Sequence, residues 1–494
     1  MKKLLKISPA DNVAVALSEI SKSEGAELCG ETVAVLDDIP FGHKVALRDI
    51  PAGADVVKYG HRIGRAACAI SRGALVGVSN LKTALGDLEK YEYAPNLPPE
   101  KFSPPPTFQG FLRENGEVGI RNELWIVPLV SCVNCVAAEI AERFRKSEFA
   151  HCTGGVFALS HPYGCSQLGC DHANTRKILA DLCMHPNAGG VLVLGLGCEN
   201  NKMSDFREIL AGANPRRVRF LEAQSERDEI GAALEILKEI ALEMKNDART
   251  PQPFSKLRFG LKCGGSDAFS GITANALIGR FSDMAVERGA SCALCEVPEM
   301  FGAETLLMNR AKDEAVFGKI VRLINSFKEY FISNKMPVYE NPSPGNKAGG
   351  ISTLEEKSLG CVQKGGTSRV NDVLEYGERV RAGGLSLLES PGNDPVAATA
   401  LAASGCHMVL FSTGRGTPFS TIVPTLKISS NTPLFQKKAG WIDFNAGAIL
   451  DGESIDALAE SFFAKVLATA SGEPTKAEEN GYREISIFKT GVTL

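Results

Sequence analysis

Val191-Leu-Val-Leu-Gly-Leu-Gly-Cys-Glu-Asn-Asn201 decides how this chain is read. Residues 191–196 are apolar, with one glycine break, and of strand length. Such a run fits a strand covered on both faces, as in a parallel sheet. Gly197 lets the chain turn, and Cys198, Glu199, Asn200 and Asn201 arrive together. In open α/β sheets, sites form at the carboxyl ends of strands. A thiol, a carboxylate and two amides there read as a metal and polyol site. The same residues also fit a structural loop, because free Cys packs as a small hydrophobe.

Outward from this stretch, several expected strands end alike. Cys132 follows a strand at 124–130, in which Pro128 argues for a sheet edge or a bulge. His161 and Cys165 follow 156–159, and Cys263 follows 257–261. Cys361 and Cys406-His407 lie in similarly Gly-rich surroundings. Helices are expected over 136–145, 171–184, 206–210 and 229–242. One long amphipathic helix is expected over about 304–334, from the stripe Val316, Ile320, Leu323, Ile324, Phe327 and Phe331. Strands alternating with helices predict a multidomain α/β protein with largely parallel sheets.

Residues 1–95 differ, with short strands and Gly/Pro punctuation that predict a small β-rich module. A proline-dense linker at 96–107 forms the clearest boundary. It leaves an α/β domain at 108–250 and a C-terminal α/β catalytic domain at 251–494, separated by the weaker break Arg249-Thr-Pro-Gln-Pro253. Residues 341–350 hold too much Gly and Pro for regular structure, and 485–494 have some β character.

Composition narrows the function. The 54 basic against 58 acidic residues, net charge −4, give no footprint for nucleic acid. No apolar run would span a bilayer, and the N-terminus lacks a signal-peptide core, so the cytoplasm is the expected compartment. Fourteen cysteines in 494 residues are too sparse for a disulfide scaffold. They should be thiols, metal ligands or core residues.

Thiolate and imidazole together suit iron or zinc. The metal candidates are His161, Cys165, Cys198, Glu199 and Cys263, with His172 beside them. Neither Cys132-x-x-Cys135 nor Cys292-x-x-Cys295 has a second knuckle, which argues against a zinc ribbon. Cys132, Cys165, Cys198, Cys263, Cys361 and Cys406 could supply an iron–sulfur cluster. Arg121, Asn122, Asn200, Asn346, Lys364 and Arg415 are suited to an anionic polyol, Arg in a bidentate manner. None of the Gly-rich loops is a Walker or Rossmann fingerprint, so a nucleotide is not indicated. Acid–base candidates are His43, His172, Lys347 and His407. A metal beside a bound carboxylate suggests removal of the α-proton, with the dianion stabilised by the metal and a β-hydroxyl leaving.

Taken jointly, these segments resemble the altronate/galactarate dehydratase family. The carrying motifs include Gly42-His-Lys44, Gly119-Ile-Arg-Asn122, His161-Pro-Tyr-Gly-Cys-Ser-Gln-Leu-Gly169 and Gly195-Leu-Gly-Cys-Glu-Asn200. Cys263-Gly-Gly-Ser-Asp267, Glu296-Val-Pro-Glu-Met-Phe-Gly302, Asn341-Pro-Ser-Pro-Gly-Asn-Lys347, Gly405-Cys-His407 and Gly414-Arg-Gly-Thr-Pro418 complete the set. The resemblance implies an N-terminal SAF (β-clip) domain and loss of water from a hexonate to give a 2-keto-3-deoxy acid. It implies Fe2+, with Mn2+ as a substitute, and a small sugar acid as substrate. A homo-oligomer is compatible with it. A sulfolactate-type sulfo-lyase and a non-catalytic sugar-acid-binding protein are the alternative readings. Acid–base work by His43 would require the SAF domain to close over the site. One departure stands out: relatives often show His-x-His-Asn where this chain reads Gly77-Val-Ser-Asn80.

Overall fold

The computed structural model describes residues 3–28 and 30–493. The N-terminal module is built from short antiparallel strands. Leu4–Leu5, Val13–Ala16, Lys44–Ala46 and Leu75–Val76 form one sheet, and Gly25–Leu28 pairs with Glu31–Ala34. Asp55–Lys58, His61–Ala66 and Leu81–Lys82 form another. Its core (Ala14, Ile20, Val33, Val45) is small, and Val13, Ala46, Val56 and Ile63 belong instead to the main C-terminal core. The module is therefore docked rather than free-standing.

The proline-rich segment runs along the C-terminal body. Asn96 N–H donates to Asn309 O at 2.7 Å, Ser103 N–H to Glu287 O at 2.7 Å, and Arg369 Nε to Pro98 O at 3.0 Å. The stretch at 249–253, expected as a break, is strand Thr250–Pro253. It pairs antiparallel with Thr107–Leu112. Its prolines sit on a sheet edge, where a missing N–H costs no ladder bond.

The second body is a parallel sheet in the order Val156–Ala158, Glu123–Pro128, Ala188–Gly195, Val218–Glu222. Helices Asn134–Arg145 and Glu229–Met244 cover one face. Helix Gly169–Cys183 covers the other, facing the third body. Strand Ala188–Gly195 is buried almost throughout, as its apolar run predicts. Pro128 does not mark an edge, since its strand has neighbours on both sides. It is the strand's last residue, paired in register with Leu194, and its carbonyl lies 2.8 Å from His161 Nε2.

The third body is a seven-stranded parallel sheet centred on Arg258–Cys263. Ser291–Leu294, Gly384–Leu388 and Val370–Leu374 lie to one side; Met408–Thr413, Thr425–Ser429 and Phe444–Asn445 lie to the other.

Three sequence expectations are corrected here. The helix over 304–334 is two helices, Glu304–Met308 and Glu314–Ser333. Asp313 ends the run by capping the second, its side chain accepting from Val316 N–H at 2.8 Å. Residues 341–350 include a short helix, Pro344–Ala348, because Ser343 and Asn346 form a capping box ahead of a first-turn proline. The tail through Thr493 contains no strand. Phe488 instead packs on Phe327, Tyr330 and Tyr376. Leu494 lies outside the described residues.

Candidate functional site

Strand Arg258–Cys263 delivers the chemistry. Lys262 and Cys263 end it, and both side chains are buried. Next to it, Ser291–Leu294 runs into Glu296, which has φ 70° and ψ 60°. A left-handed non-glycine residue is strained, and such residues cluster at functional sites. The strain turns Glu296 back onto strand Arg258–Cys263. Its Oε1 accepts from Lys262 Nζ, and its Oε2 accepts from Lys364 Nζ at 2.9 Å and from Cys263 N–H at 3.0 Å. One turn on, Glu299 Oε2 lies 3.0 Å from Cys361 Sγ and 3.3 Å from Cys263 Sγ, and the two sulfurs are 3.4 Å apart. Lys357 Nζ holds the other Glu299 oxygen at 2.8 Å. Lys364 Nζ is also 2.8 Å from Cys263 Sγ.

This is a dense, buried set of charges. Burial works against the Glu299 carboxylate, but Lys357, Lys262 and Lys364 hold it down to about 2. Burial likewise opposes the Lys364 ammonium, yet the Cys263 sulfur and the Glu296 carboxylate beside it keep it well above the usual lysine range. The Cys361 thiol is pushed well up by its bond to Cys263 and by burial. Lys262, Lys357 and Lys364 balance Glu296, Glu299 and Asp394, whose Oδ1 is 2.8 Å from Lys262 Nζ. Two thiols giving up their protons to a divalent ion would leave that balance intact. Cys263, Glu299 and Cys361 offer donors within 4.8 Å of one another, and two soft sulfurs with one oxygen suit a transition metal.

The N-terminal module supplies a second cluster beside the first. Lys44 and Lys58 are fully buried, and their ammonium groups grip the two oxygens of Glu356 at 2.9 and 2.8 Å. Glu356 is held down to about 2 against burial by those two charges. Lys44 also donates to Gly350 O at 2.8 Å and Ser352 Oγ at 2.9 Å. Tyr59, at φ 61°, is the second strained residue here. Lys58, Tyr59, Asp267, Asn275, Lys357 and Cys361 line one small pocket where module and C-terminal body meet.

Position along the strands sorts the residues expected from sequence. Around the carboxyl end of Arg258–Cys263 stand Cys263, Asn346, Lys347, Arg415 and His43. Asn346 Nδ2 donates to Ser266 O at 2.9 Å, and Arg415 N–H to Gly265 O at 2.9 Å, with both the Lys347 and Arg415 side chains exposed. His43 is half-buried on a turn whose Gly42 backs onto the carbonyl of Gly349; burial lowers its pKa below the usual histidine value. At the carboxyl ends of the second sheet stand His161, Cys165, Cys198, Glu199, Asn200 and half-buried His172. Glu199 spends both oxygens on the N–H groups of Leu196 and Gly197, at 2.9 and 2.6 Å. His161 bonds Pro128 O through Nε2 and accepts from Tyr163 N–H through Nδ1. Asn200 Oδ1 accepts from Ser166 N–H at 3.0 Å and lies 3.2 Å from Cys165 Sγ.

Arg121, Asn122 and His407 lie at the opposite, amino ends of strands. Arg121 points its guanidinium at Glu478 (2.7 and 2.9 Å) and at the carbonyls of Ile120, Thr469 and Glu473. Asn122 holds Arg113 at 2.8 Å. His407 bonds Val118 O through Nε2 and accepts from Arg258 N–H through Nδ1; burial pushes its pKa well below the usual value. These groups tie bodies together. The sequence reading missed Lys44, Lys58, Tyr59, Glu296, Glu299, Lys357 and Glu356. A dense run of Lys and Glu reads as a solvated face, and only the Glu296-Val-Pro-Glu299 spacing offered a signal.

Comparison with known proteins agrees with this layout. Residues 2–84 match the altronate/galactarate dehydratase SAF domain. Residues 110–245 match the second domain of D-galactarate dehydratase/altronate hydrolase, and residues 254–493 match the D-galactarate/altronate dehydratase C-terminal family. The chain is 54% identical to an altronate dehydratase of Bacillus subtilis, over 100% of both chains. It is 52% identical to one of Escherichia coli, over 99% of both. It is 34% identical to the L-threo-forming galactarate dehydratase of Escherichia coli, over 98% of this chain and 96% of that one. No helix among the described residues is long and apolar enough to cross a membrane. With an N-terminal SAF domain, two parallel α/β bodies and kinship over its whole length, this chain belongs to the altronate/galactarate dehydratase family.

Proposed function

We propose that the chain removes water from a hexonate, with D-altronate as first substrate and 2-dehydro-3-deoxy-D-gluconate as product. The supporting observation is full-length identity above half to two altronate dehydratases. The C2 proton leaves to a base, the C3 hydroxyl leaves with a proton, and the resulting enol becomes the 2-keto acid.

His43 is the base. Its lowered pKa keeps the imidazole neutral near pH 7, ready to accept a proton. Exposed Lys347 and Arg415, around the loop 263–267, bind the carboxylate, Arg415 by its two-pronged guanidinium. Lys44 and Lys58 fix the module that carries His43, so the base is held rather than swung in. Cys263, Glu299 and Cys361 would hold iron(II), with manganese(II) as a substitute, and such an ion would supply Lewis acidity.

The test is an anaerobic assay of iron-loaded protein against D-altronate, D-galactarate and sulfolactate, following 2-keto-3-deoxy acid or sulfite. Altronate turnover supports the reading. Sulfite release alone, or no product from folded and metal-loaded protein, overturns it.

A further inference from the structure

Three cysteines stand beyond the carboxyl ends of three neighbouring parallel strands. Cys132 follows Glu123–Pro128, Cys165 follows Val156–Ala158, and Cys198 follows Ala188–Gly195. All three are exposed, unlike the buried pair at Cys263 and Cys361.

Their loops are bonded to one another. Ser131 N–H donates to Tyr163 O at 2.9 Å, and Asn201 N–H donates to Gly164 O at 3.1 Å. Asn201 Nδ2 donates to Leu129 O at 3.1 Å. Cys165 Sγ lies 3.2 Å from Asn200 Oδ1. The backbones approach so closely that a Cβ on Gly164 would stand 2.0 Å from Leu129 O. The same loops hold two buried polar atoms without a partner, Gln167 Nε2 and Asn201 Oδ1, on residues 6% and 0% exposed. Buried polar groups are normally paired, so such orphans call for a missing partner.

The spacing separates this place from a single-ion site. Among the described residues, only Cys263, Glu299 and Cys361 bring donors within 4.8 Å of one another. Three thiols held by linked loops, yet wider apart than one ion's ligands, suit a polynuclear group. Iron–sulfur clusters are held by cysteine thiolates.

We propose that Cys132, Cys165 and Cys198 bind a [4Fe–4S] cluster, each thiol releasing its proton, with one iron left without a protein thiolate. Gln167 Nε2 supplies an N–H toward a cluster sulfide, and hydrogen bonds to sulfur tune such clusters. Asn201 Oδ1 leaves an acceptor for a hydroxyl ligand. The other exposed thiols among the described residues lie off these strand ends: Cys68 in the N-terminal module, Cys135 on helix Asn134–Arg145 and Cys170 on helix Gly169–Cys183. A role for the open iron in holding a hydroxy acid rests on the dehydration proposed above; the cluster itself does not.

The test uses the full chain, reconstituted anaerobically with ferrous iron and sulfide. About four sulfides should bind per chain, with about five irons, four in the cluster and one at Cys263, Glu299 and Cys361, and with a broad visible absorption and an EPR signal on reduction. Cys132→Ser, Cys165→Ser and Cys198→Ser, each checked for folding by circular dichroism, should lose the sulfide and the signal. Cys135→Ser and the double variant Cys263→Ser/Cys361→Ser should keep both. Iron bound without sulfide, or a cluster lost only in the double variant, overturns the assignment. A cluster in protein that turns over no hexonate leaves this site standing and overturns the function proposed above.

Discussion

Lys364 Nζ lies 2.8 Å from Cys263 Sγ and 2.9 Å from Glu296 Oε2, in a place with almost no solvent access. One ammonium thus serves a sulfur and a carboxylate at once. Removing one partner of a buried pair costs about 3–5 kcal/mol, because the other charge stays buried. Lys364→Met should therefore lower unfolding free energy by about that amount in urea. Adding Glu296→Gln should restore part of the loss, since it removes one carboxylate and returns the buried cluster to charge balance, with Lys262 still paired to Asp394. A double variant no better than the sum of the singles would show that the pair is not coupled.

The charge balance around Cys263 and Cys361 makes metal uptake proton-linked. Binding of a divalent ion should release about two protons, one from each thiol. Calorimetry in buffers of different ionisation enthalpy measures this number directly. Cys361→Ser should weaken binding and lower the release to about one proton.

Glu356 ties the SAF domain to the C-terminal body through Lys44 and Lys58. Its folded pKa, about 2, is below its ordinary 4.5. An acid with a depressed folded pKa stabilises the fold in full above its unfolded value. That stabilisation is lost as pH falls from 4.5 toward 2. Melting temperature against pH should drop across this window in the parent chain more steeply than in Glu356→Gln. At pH 7 the variant should already be less stable by about 3–5 kcal/mol.

Arg121 directs its guanidinium to Glu478 and three backbone carbonyls. Arg121→Lys cannot reproduce that fork. It should cost about 1–3 kcal/mol of stability while leaving KM for a hexonate unchanged. A large rise in KM with stability intact would return Arg121 to the substrate.

Gly77 sits opposite His43, since Lys44 pairs with Val76 in an antiparallel register. A Cβ there meets nothing within 4 Å. Gly77→His should fold with stability within about 0.5 kcal/mol of the parent. His43 is already lowered by burial and by Lys44, and a second imidazole across the strand pair should lower it further. NMR titration of the His43 ring reads this shift.

Much of the fold was legible locally. The apolar run of Ala188–Gly195 and the helix over Asn134–Arg145 each carry their structure in composition and period. The errors came where one residue's partner lies far away in the chain. Pro128 looks like an edge residue until Val156–Ala158 and Ala188–Gly195 flank its strand, and 249–253 looks like a break until Thr107–Leu112 pairs with it. Cys263, Asn346 and Arg415, which gather around the carboxyl end of Arg258–Cys263, could be named because Gly-rich loops after apolar strands are visible as text. His407 could not be told apart from them in the text, although it bonds Val118 O at the amino end of its strand.

The sequence alone carried the α/β pattern and the family kinship, because hydrophobic period and motif spacing are properties of neighbouring residues. It could not carry the pairing of Lys44 and Lys58 with Glu356, nor that of Cys263 with Glu299 and Cys361. Buried charges are affordable only when a distant opposite charge or thiol is brought alongside, and that meeting exists only after the SAF domain has docked and the parallel strands have aligned their carboxyl ends.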